Sequence, residues 1–369
     1  MNQQAWKQYE ALPLPTRRDL DWQHFDLRGL KLDNIAQRAR PVAAKLTGAV
    51  PTGVVFGDLA RHRDVANRFL GQALNGAGRH KFTLLHEALW ENGALLYVPR
   101  NVRVSEPLTI TYDLPNHDSA AFPRTLIVLE PGAEATLIQR FTGAPGVHAS
   151  GTEVFVQPGA RLHYVSLQNF APTAYDFTVK RAHVAQDAEV DWVIGMFGGL
   201  FARYDIECVM EGRGGHSFMY GVGLGENRQQ LGQFTRQHHR VGDTTSDLLF
   251  KNVLRDDAVS NYTGLIKVEK NSNGTNAYQS NRNLVLSDKV QCDTRPILEI
   301  ESNQLRCTHG ATVGRLDENQ LFYLRSRGLT LAQARQALIE AFLEPILARI
   351  QVESVREEFS RLIHAKVLR

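Results

Sequence analysis

The feature that most constrains this chain is a recurring turn. Three segments, "VLEPGAEATLI", "FVQPGARLHYV" and "HVAQDAEVDWV", share one plan: an apolar run, a Pro-Gly or Gln-Asp turn, an alanine, then an alternating strand. Gly132, Gly159 and Asp187 mark that turn at about 27-residue intervals, a period in the range of solenoid repeats. Later, "VLRDDAVSNYTG", "VEKNSNGTNAYQ" and "VLSDKVQCDTR" echo it at about 16-residue intervals, which reads as a shortening of the turns. A repeat that cannot bury its own apolar face must stack on its neighbours. The expectation is therefore a mainly β chain built on a right-handed parallel β-helix, a β-solenoid. A β-sandwich is the alternative, but it has no reason to keep a fixed period.

The flanks differ in texture. "QAWKQYEAL" places Trp6, Tyr9 and Leu12 on one helical face, and "PLPT" stops it. "VANRFLGQALN" and "LLHEALWEN" also carry helical spacing. Residues 1–90 are expected to form an N-terminal helical or mixed region, 91–320 the β-helix core and 321–369 a C-terminal helical region. In the last of these, Thr330 can cap a helix with Leu331, Ala334, Leu338, Ala341 and Phe342 on its apolar stripe, ended or kinked by Pro345. "ILARIQVESVREEFSRLIHAKVLR" can form a further helix, basic toward its end.

With 43% hydrophobic and 22% charged residues, a folded chain is expected. A net charge of +3, with only short basic clusters such as "PTRRD" and "RQHHR", does not favour nucleic acid as a partner. No apolar run approaches the ~20 residues that span a bilayer, and the first residues lack the pattern of a signal peptide, so a cytoplasmic location without membrane contact is expected. Three well-separated cysteines, Cys208, Cys292 and Cys307, suit a reducing compartment.

Few residues suggest chemistry. In "QLRCTHGATVG", Cys307 and His309 stand two apart, so a strand reading of "ILEIESNQLRCTHG" puts them on one face with Thr308 on the other. They could be half of a metal site, a thiol with its base, or a plain strand end. A cluster or tetrahedral zinc needs about four ligands, and no second pair lies nearby in sequence. Cys292 and Cys208 read as packed strand residues, the latter alternating with Ile206 and Met210. Adjacent His238 and His239 point opposite ways on a strand and cannot chelate together. Asp243, Asp247, Asp256, Asp257, Asp288 and Asp293 fall mostly at turns, where Asp forms local hydrogen bonds; the alternative is a carbohydrate-active β-helix enzyme using clustered carboxylates. "GRGGHSFMYGVGLG" is no phosphate loop, so an ATPase, if one is involved, is another polypeptide.

The stretch "TSDLLFKNVLRDDAVSNYTGLIKVEKNSNGTNAYQSNRNLVLSD", followed by "DTRPILEIESNQLRCTHGATVGRLDENQLFYLRSRGL", resembles the SufB/SufD family of iron–sulfur cluster assembly proteins, and the SufD branch most. "LPTRRDLDW" and "GALLYVPRNV" are similar to that branch as well. The resemblance implies a β-helix between helical ends and a non-catalytic scaffold subunit. It implies pairing with a SufB-like protein, docking of a separate SufC-type ATPase on the C-terminal helices, and a nascent iron–sulfur cluster built transiently at the interface. It places His309 as a ligand or proton-transfer group, with Cys307 second, both shared with the partner chain. Leu324, Arg325, Arg327, Gly328, Leu329 and Phe342 become candidates for the ATPase dock. The chain departs from the family at two places. The stretch matching the sulfur-accepting Cys of SufB-like proteins holds Ser280, Asn281 and Asn283, which implies that this chain is not the sulfur acceptor. Asn303 and Gln304 stand where an acidic pair often precedes the Cys motif. A homodimer lacking a SufB-like partner is a third reading.

Overall fold

A computed structural model describes residues 1–74, 80–114 and 119–367. Two sheets stack face to face along one axis. The nine-stranded sheet runs, in spatial order, β1 (Lys45–Thr47), β4 (Leu108–Leu114), β7 (Glu134–Gly143), β9 (Arg161–Phe170), β11 (Glu189–Met196), β13 (His216–Gly225), β15 (Thr245–Leu254), β17 (Asn276–Val285) and β19 (Arg306–Gly314). The ten-stranded sheet runs β18 (Gln291–Ile300), β16 (Val259–Val268), β14 (Gln230–His239), β12 (Phe201–Met210), β10 (Tyr175–Val184), β8 (Gly146–Val156), β6 (Arg124–Leu129), β3 (Gly93–Val98) and β2 (Val55–Asp58), with β5 (Ser119–Ala121) beside β8. From β6 onward even- and odd-numbered strands alternate between sheets, and each pairs in parallel with the one two places on, while β3 and β4 pair in parallel with β6 and β7. This is a β-solenoid of about eight turns.

Val147, Tyr175, Phe201, Gln230, Val259 and Gln291 form one column, so successive turns take 28, 26, 29, 29 and 32 residues. The turns do not shorten toward the end. The 16-residue echoes are successive half-turns, linking β15 to β16, β16 to β17 and β17 to β18. Both corners reverse the chain with polar residues, so their sequences look alike.

The recurring turn is one corner of the stack. Asn101, Gly132, Gly159, Asp187, Gly214, Asp243 and Gly274 all have positive φ there, between 53° and 73°. Backbone bonds run along it, such as Gly132 N to Pro158 O at 3.0 Å and Gly159 N to Gln186 O at 2.9 Å. Asx and Gly interlock: a Cβ on Gly214 would lie 2.0 Å from Asp187 Oδ1, and one on Gly274 2.1 Å from Asp243 Oδ1. The side chain of one turn thus fills the space left by the glycine of the next.

The interior is apolar for much of its length, with Tyr164, Trp192, Met219 and Leu248 in one inward column. Helices cover the outside. The N-terminal region holds α1 (Gln3–Ala11), α2 (Ile35–Arg38), α3 (Arg63–Ala66) and α4 (Lys81–Leu89). It also contributes β1 and β2, which pair antiparallel with β4 and β3. "QAWKQYEAL" and "LLHEALWEN" fall on α1 and α4 as expected. "VANRFLGQALN" does not: only α3 is helical, the chain then turns through Leu74, and Asn75 lies outside the described residues.

This region docks on the ten-stranded sheet. Arg203 lies between the rings of Trp22 (4.1 Å) and Phe234 (3.6 Å) while pairing with Asp205 at 2.9 Å. His80 caps α4, accepting from Phe82 N on Nδ1, and its Nε2 meets Asp205 at 2.9 Å. Burial raises the Asp205 carboxyl, but Arg203 and His80 outweigh it and hold the group below the usual carboxylate range.

At the other flank lie α5 (Glu318–Ser326), α6 (Leu331–Leu347) and α7 (Glu353–Val367). Thr330 caps α6 in a capping box with Gln333. The buried stripe of α6 is Ala334, Ile339, Leu343, Ile346 and Leu347, whereas Leu331 and Ala341 are exposed. Apolar residues occur on more than one side of this helix, so docking against the nine-stranded sheet and Phe359 of α7 chose the face. Pro345 sits inside α6 and the helix runs on to Leu347. The described part of the last expected helix is α7; Leu368 and Arg369 lie outside the described residues.

Candidate functional site

The solenoid ends at β18 and β19. "ILEIESNQLRCTHG" is not one strand: β18 closes at Ile300, the chain turns, and β19 opens at Arg306 in the opposite sheet. Cys307 and His309 both lie on β19. Ala277 pairs with Cys307 and Gln279 with His309. Ala277 and Gln279 are buried and face the interior, while Tyr278 between them is exposed. Side chains in register on adjacent strands share a face, so Cys307 and His309 both point to the interior side, as two-residue spacing requires.

Among the described residues, no further turn covers them. His309 is exposed, and Cys307 is half-buried against Leu298, Leu305, Ile266 and Val268. On the same open turn Ile300 and Val313 are 39% and 50% exposed. The interior cross-section of the solenoid is thus laid bare at this end.

Burial raises the Cys307 thiol to about 11, so in this chain alone it stays protonated at neutral pH. Cys292 on β18 is in register with Ser260 and half-buried against the core; burial and then Asp293 push its thiol to about 12. Cys208 is wholly buried and also raised to about 12. His239 is buried between the hydroxyls of Thr244 (2.7 Å) and Ser246 (3.0 Å), and desolvation lowers it to about 3. His238 turns the other way to meet Glu269 at 2.8 Å. Among the described residues, no group of three His, Cys, Asp or Glu side chains is placed to hold a metal ion.

The carboxylates are dispersed. Asp243 occupies the corner and pairs with Arg213, Asp247 accepts from Tyr220 OH at 3.0 Å, Asp257 pairs with Lys289 and Asp288 with Arg315. Asp256 has a positive φ at a turn, and Asp293 pairs with Arg295 and His24. Asn281 and Asn283 line the interior in an amide ladder with Asn252, at 2.6 and 2.7 Å. Asn303 and Gln304 stand exposed in the turn before β19, where Gln304 O accepts from Gly274 N at 2.7 Å.

Of the C-terminal candidates, Arg325, Arg327 and Gly328 are exposed, and Leu324 and Leu329 half-buried. Phe342 is turned toward the solenoid, its ring 4.8 Å from Lys251 Nζ. Phe322 and Tyr323 were missed by the sequence reading, yet they are 74% and 55% exposed on α5. Two adjacent aromatics in "LFYLRSRG" were the available signal. Among the described residues, no helix is long and apolar enough to cross a membrane.

The family model for the SUF system FeS cluster assembly SufBD core domain matches residues 112–342, more than half of the chain. The chain belongs to the SufBD family. It is similar to the iron–sulfur cluster assembly protein SufD of Bacillus subtilis (strain 168), with 30% identity over 327 residues, covering 85% of this chain and 74% of that protein. It is also similar to an iron–sulfur cluster assembly SufBD family protein of Staphylococcus aureus (strain MRSA252), 26% identical over 319 residues, covering 84% and 68%. The SufBD core match begins within β4 and ends within α6, so it takes in the open end, α5 and the first part of α6.

Proposed function

We infer that this chain is the SufD-like, non-catalytic scaffold subunit of a SufB–SufC–SufD-type complex, and that a nascent iron–sulfur cluster forms where its open end meets a SufB-like partner. The observation that carries this reading is the pairing of Cys307 and His309 on an uncovered interior face beside two free strand edges. Two ligands on one chain are too few for a cluster, so the others come from the chain that covers this end. The cluster is cargo here, not a resident group.

His309 is the main ligand or proton-transfer group. To bind iron it must present a nitrogen free of its proton. Cys307 follows, because its raised thiol must first lose a proton, which a metal or a positive partner group would promote. The lack of a cysteine at Ser280, Asn281 and Asn283 supports sulfur acceptance by the partner rather than by this chain.

The SufC-type ATPase docks on α5 and the α5–α6 turn through Phe322, Tyr323, Leu324, Arg325, Arg327, Gly328 and Leu329. Phe342 braces the platform from beneath through its contact with Lys251. His309→Ala tests the whole reading: the purified complex should assemble normally yet form no cluster on anaerobic reconstitution, read by visible absorption. A normal cluster yield would sink it.

A further inference from the structure

Beneath His309 lies a buried amide with an unmet acceptor. Gln279 on β17 is the residue in register with His309, one turn below, and it is 1% exposed. In-register side chains on neighbouring strands lie one above the other, with their roots about 4.8 Å apart. Cys307 stands over the methyl group of Ala277 and Ala311 over Asn281, so the polar group directly under the imidazole is Gln279.

The carbonyls around this amide fix its orientation. Gln279 Nε2 donates to Gly264 O at 3.1 Å and, more weakly, to Ile297 O at 3.5 Å. Turned over, the amide would aim its own oxygen at those carbonyl oxygens, so the nitrogen belongs on that side. Gly264 lies on β16, but Ile297 belongs to β18 in the last turn, so the amide tip leans up toward the open end. Gly264 leaves the space for it: a Cβ there would lie 2.8 Å from Gln279 Oε1. Pro296, in register above Gly264, faces the same opening. Oε1 itself is buried and has no hydrogen-bond partner among the described residues. A buried acceptor left unmet is costly, and only a donor relieves it.

Tyr262 OH is engaged with Thr235 Oγ1 at 3.0 Å, and the Asn281 and Asn283 amides bond Phe250 O and Thr312 O. His309 is exposed, so its ring is free to turn. Counted outward from Cβ, Gln279 Oε1 and His309 Nε2 stand at the same depth, whereas Nδ1 falls short of it. We propose that Gln279 is the positioning residue for His309: its Oε1 accepts from Nε2–H, which holds one tautomer and leaves Nδ1 free for iron. A metal-binding imidazole commonly donates its other ring N–H to an oxygen, and that bond sets both tautomer and ring orientation. Gln279 touches no cargo and acts only through the imidazole. The inference rests on the scaffold reading above and names the residue that aims its main ligand.

The test uses the full chain, free of metal and labelled with nitrogen-15 histidine, at about pH 8, where an ordinary imidazole is neutral. A ring N–H held in a hydrogen bond is protected from exchange and gives a proton resonance, whereas a solvated one exchanges away. His309→Ala identifies the resonance by its loss. Gln279→Met keeps the volume and removes the acceptor, so the Nε2–H resonance should vanish from a chain that still unfolds cooperatively. Gln279→Asn draws the amide back from that depth and should lose the resonance too, which covers the case of a Met variant that folds poorly. After anaerobic reconstitution with a SufB-like protein and a SufC-type ATPase, Gln279→Met should hold cluster about tenfold less well, where His309→Ala holds none. Three results would overturn the assignment: no His309 N–H resonance or one on Nδ1 in the unaltered chain, a resonance that persists in both variants, or normal cluster retention in Gln279→Met. None of these touches the scaffold reading, which fails instead if His309→Ala gives a normal cluster yield.

Discussion

The interlocked corner makes a quantitative prediction, because two glycines with the same backbone differ in what lies over them. Gly159 and Gly214 have φ of 70° and 72°. Alanine at either site carries the cost of the left-handed region, about 1 kcal/mol. At Gly159 nothing else opposes it, since no atom lies within 4 Å of the new Cβ. At Gly214 the Cβ would sit 2.0 Å from Asp187 Oδ1. Asp has a short side chain and cannot swing far, so the clash adds the cost of overpacking, about 1–3 kcal/mol. Gly214→Ala should therefore destabilise clearly more than Gly159→Ala.

Asp187→Gly removes the obstructing oxygen. In that background Gly214→Ala should fall back to the cost seen at Gly159, a coupling of about 1–3 kcal/mol between the two sites. The assay is urea unfolding followed by fluorescence, with the fully buried Trp192 among its reporters. Equal midpoint shifts for Gly159→Ala and Gly214→Ala, or no rescue by Asp187→Gly, would refute the interlock.

Lys180 is fully buried beside Tyr164 and Gln139, and desolvation brings its amine down to about 7 from 10.5. The unfolded chain binds that proton up to about pH 10.5, so stability should rise with pH between about 7 and 10.5, by about 5 kcal/mol at most, and Lys180→Met should remove that slope in a pH series of urea midpoints. Arg203→Ala takes one of two partners from the half-buried Asp205, which keeps His80, and should cost about 1.5–3 kcal/mol, with faster proteolysis of the first 90 residues as the readout; unchanged protease resistance would count against this clamp. Phe322→Ala should leave the melting temperature unchanged and weaken binding of a SufC-type ATPase at least about tenfold by calorimetry, because the ring is 74% exposed and packs on little of its own chain.

Much of the fold was legible because its signals are local. The period at Gly132, Gly159 and Asp187 gave stacked turns, since each marks a chain reversal with positive φ that Gly and Asp tolerate. The later half-turns misled for the same reason: Asp256 and Asp187 both adopt positive φ, at different corners. The α6 stripe was misplaced because Leu331 and Ile339 are equally apolar, and only contact with the sheet distinguishes them. Phe322 and Tyr323 went unnoticed because exposure is not written in residue type.

The site divides along the same line. That Cys307 and His309 share a face follows from strand alternation, a property of neighbouring peptide units that sequence alone determines. The sequence likewise determined the Thr330 cap. That this face is uncovered depends on where the stack stops, and stopping is a relation between turns distant in sequence. Nothing in "QLRCTHGATVG" says that no turn follows above it, or that Pro296 in the opposite sheet faces the same opening. Only the tertiary structure decided those, because a residue's burial is set by the neighbour that stacks on it.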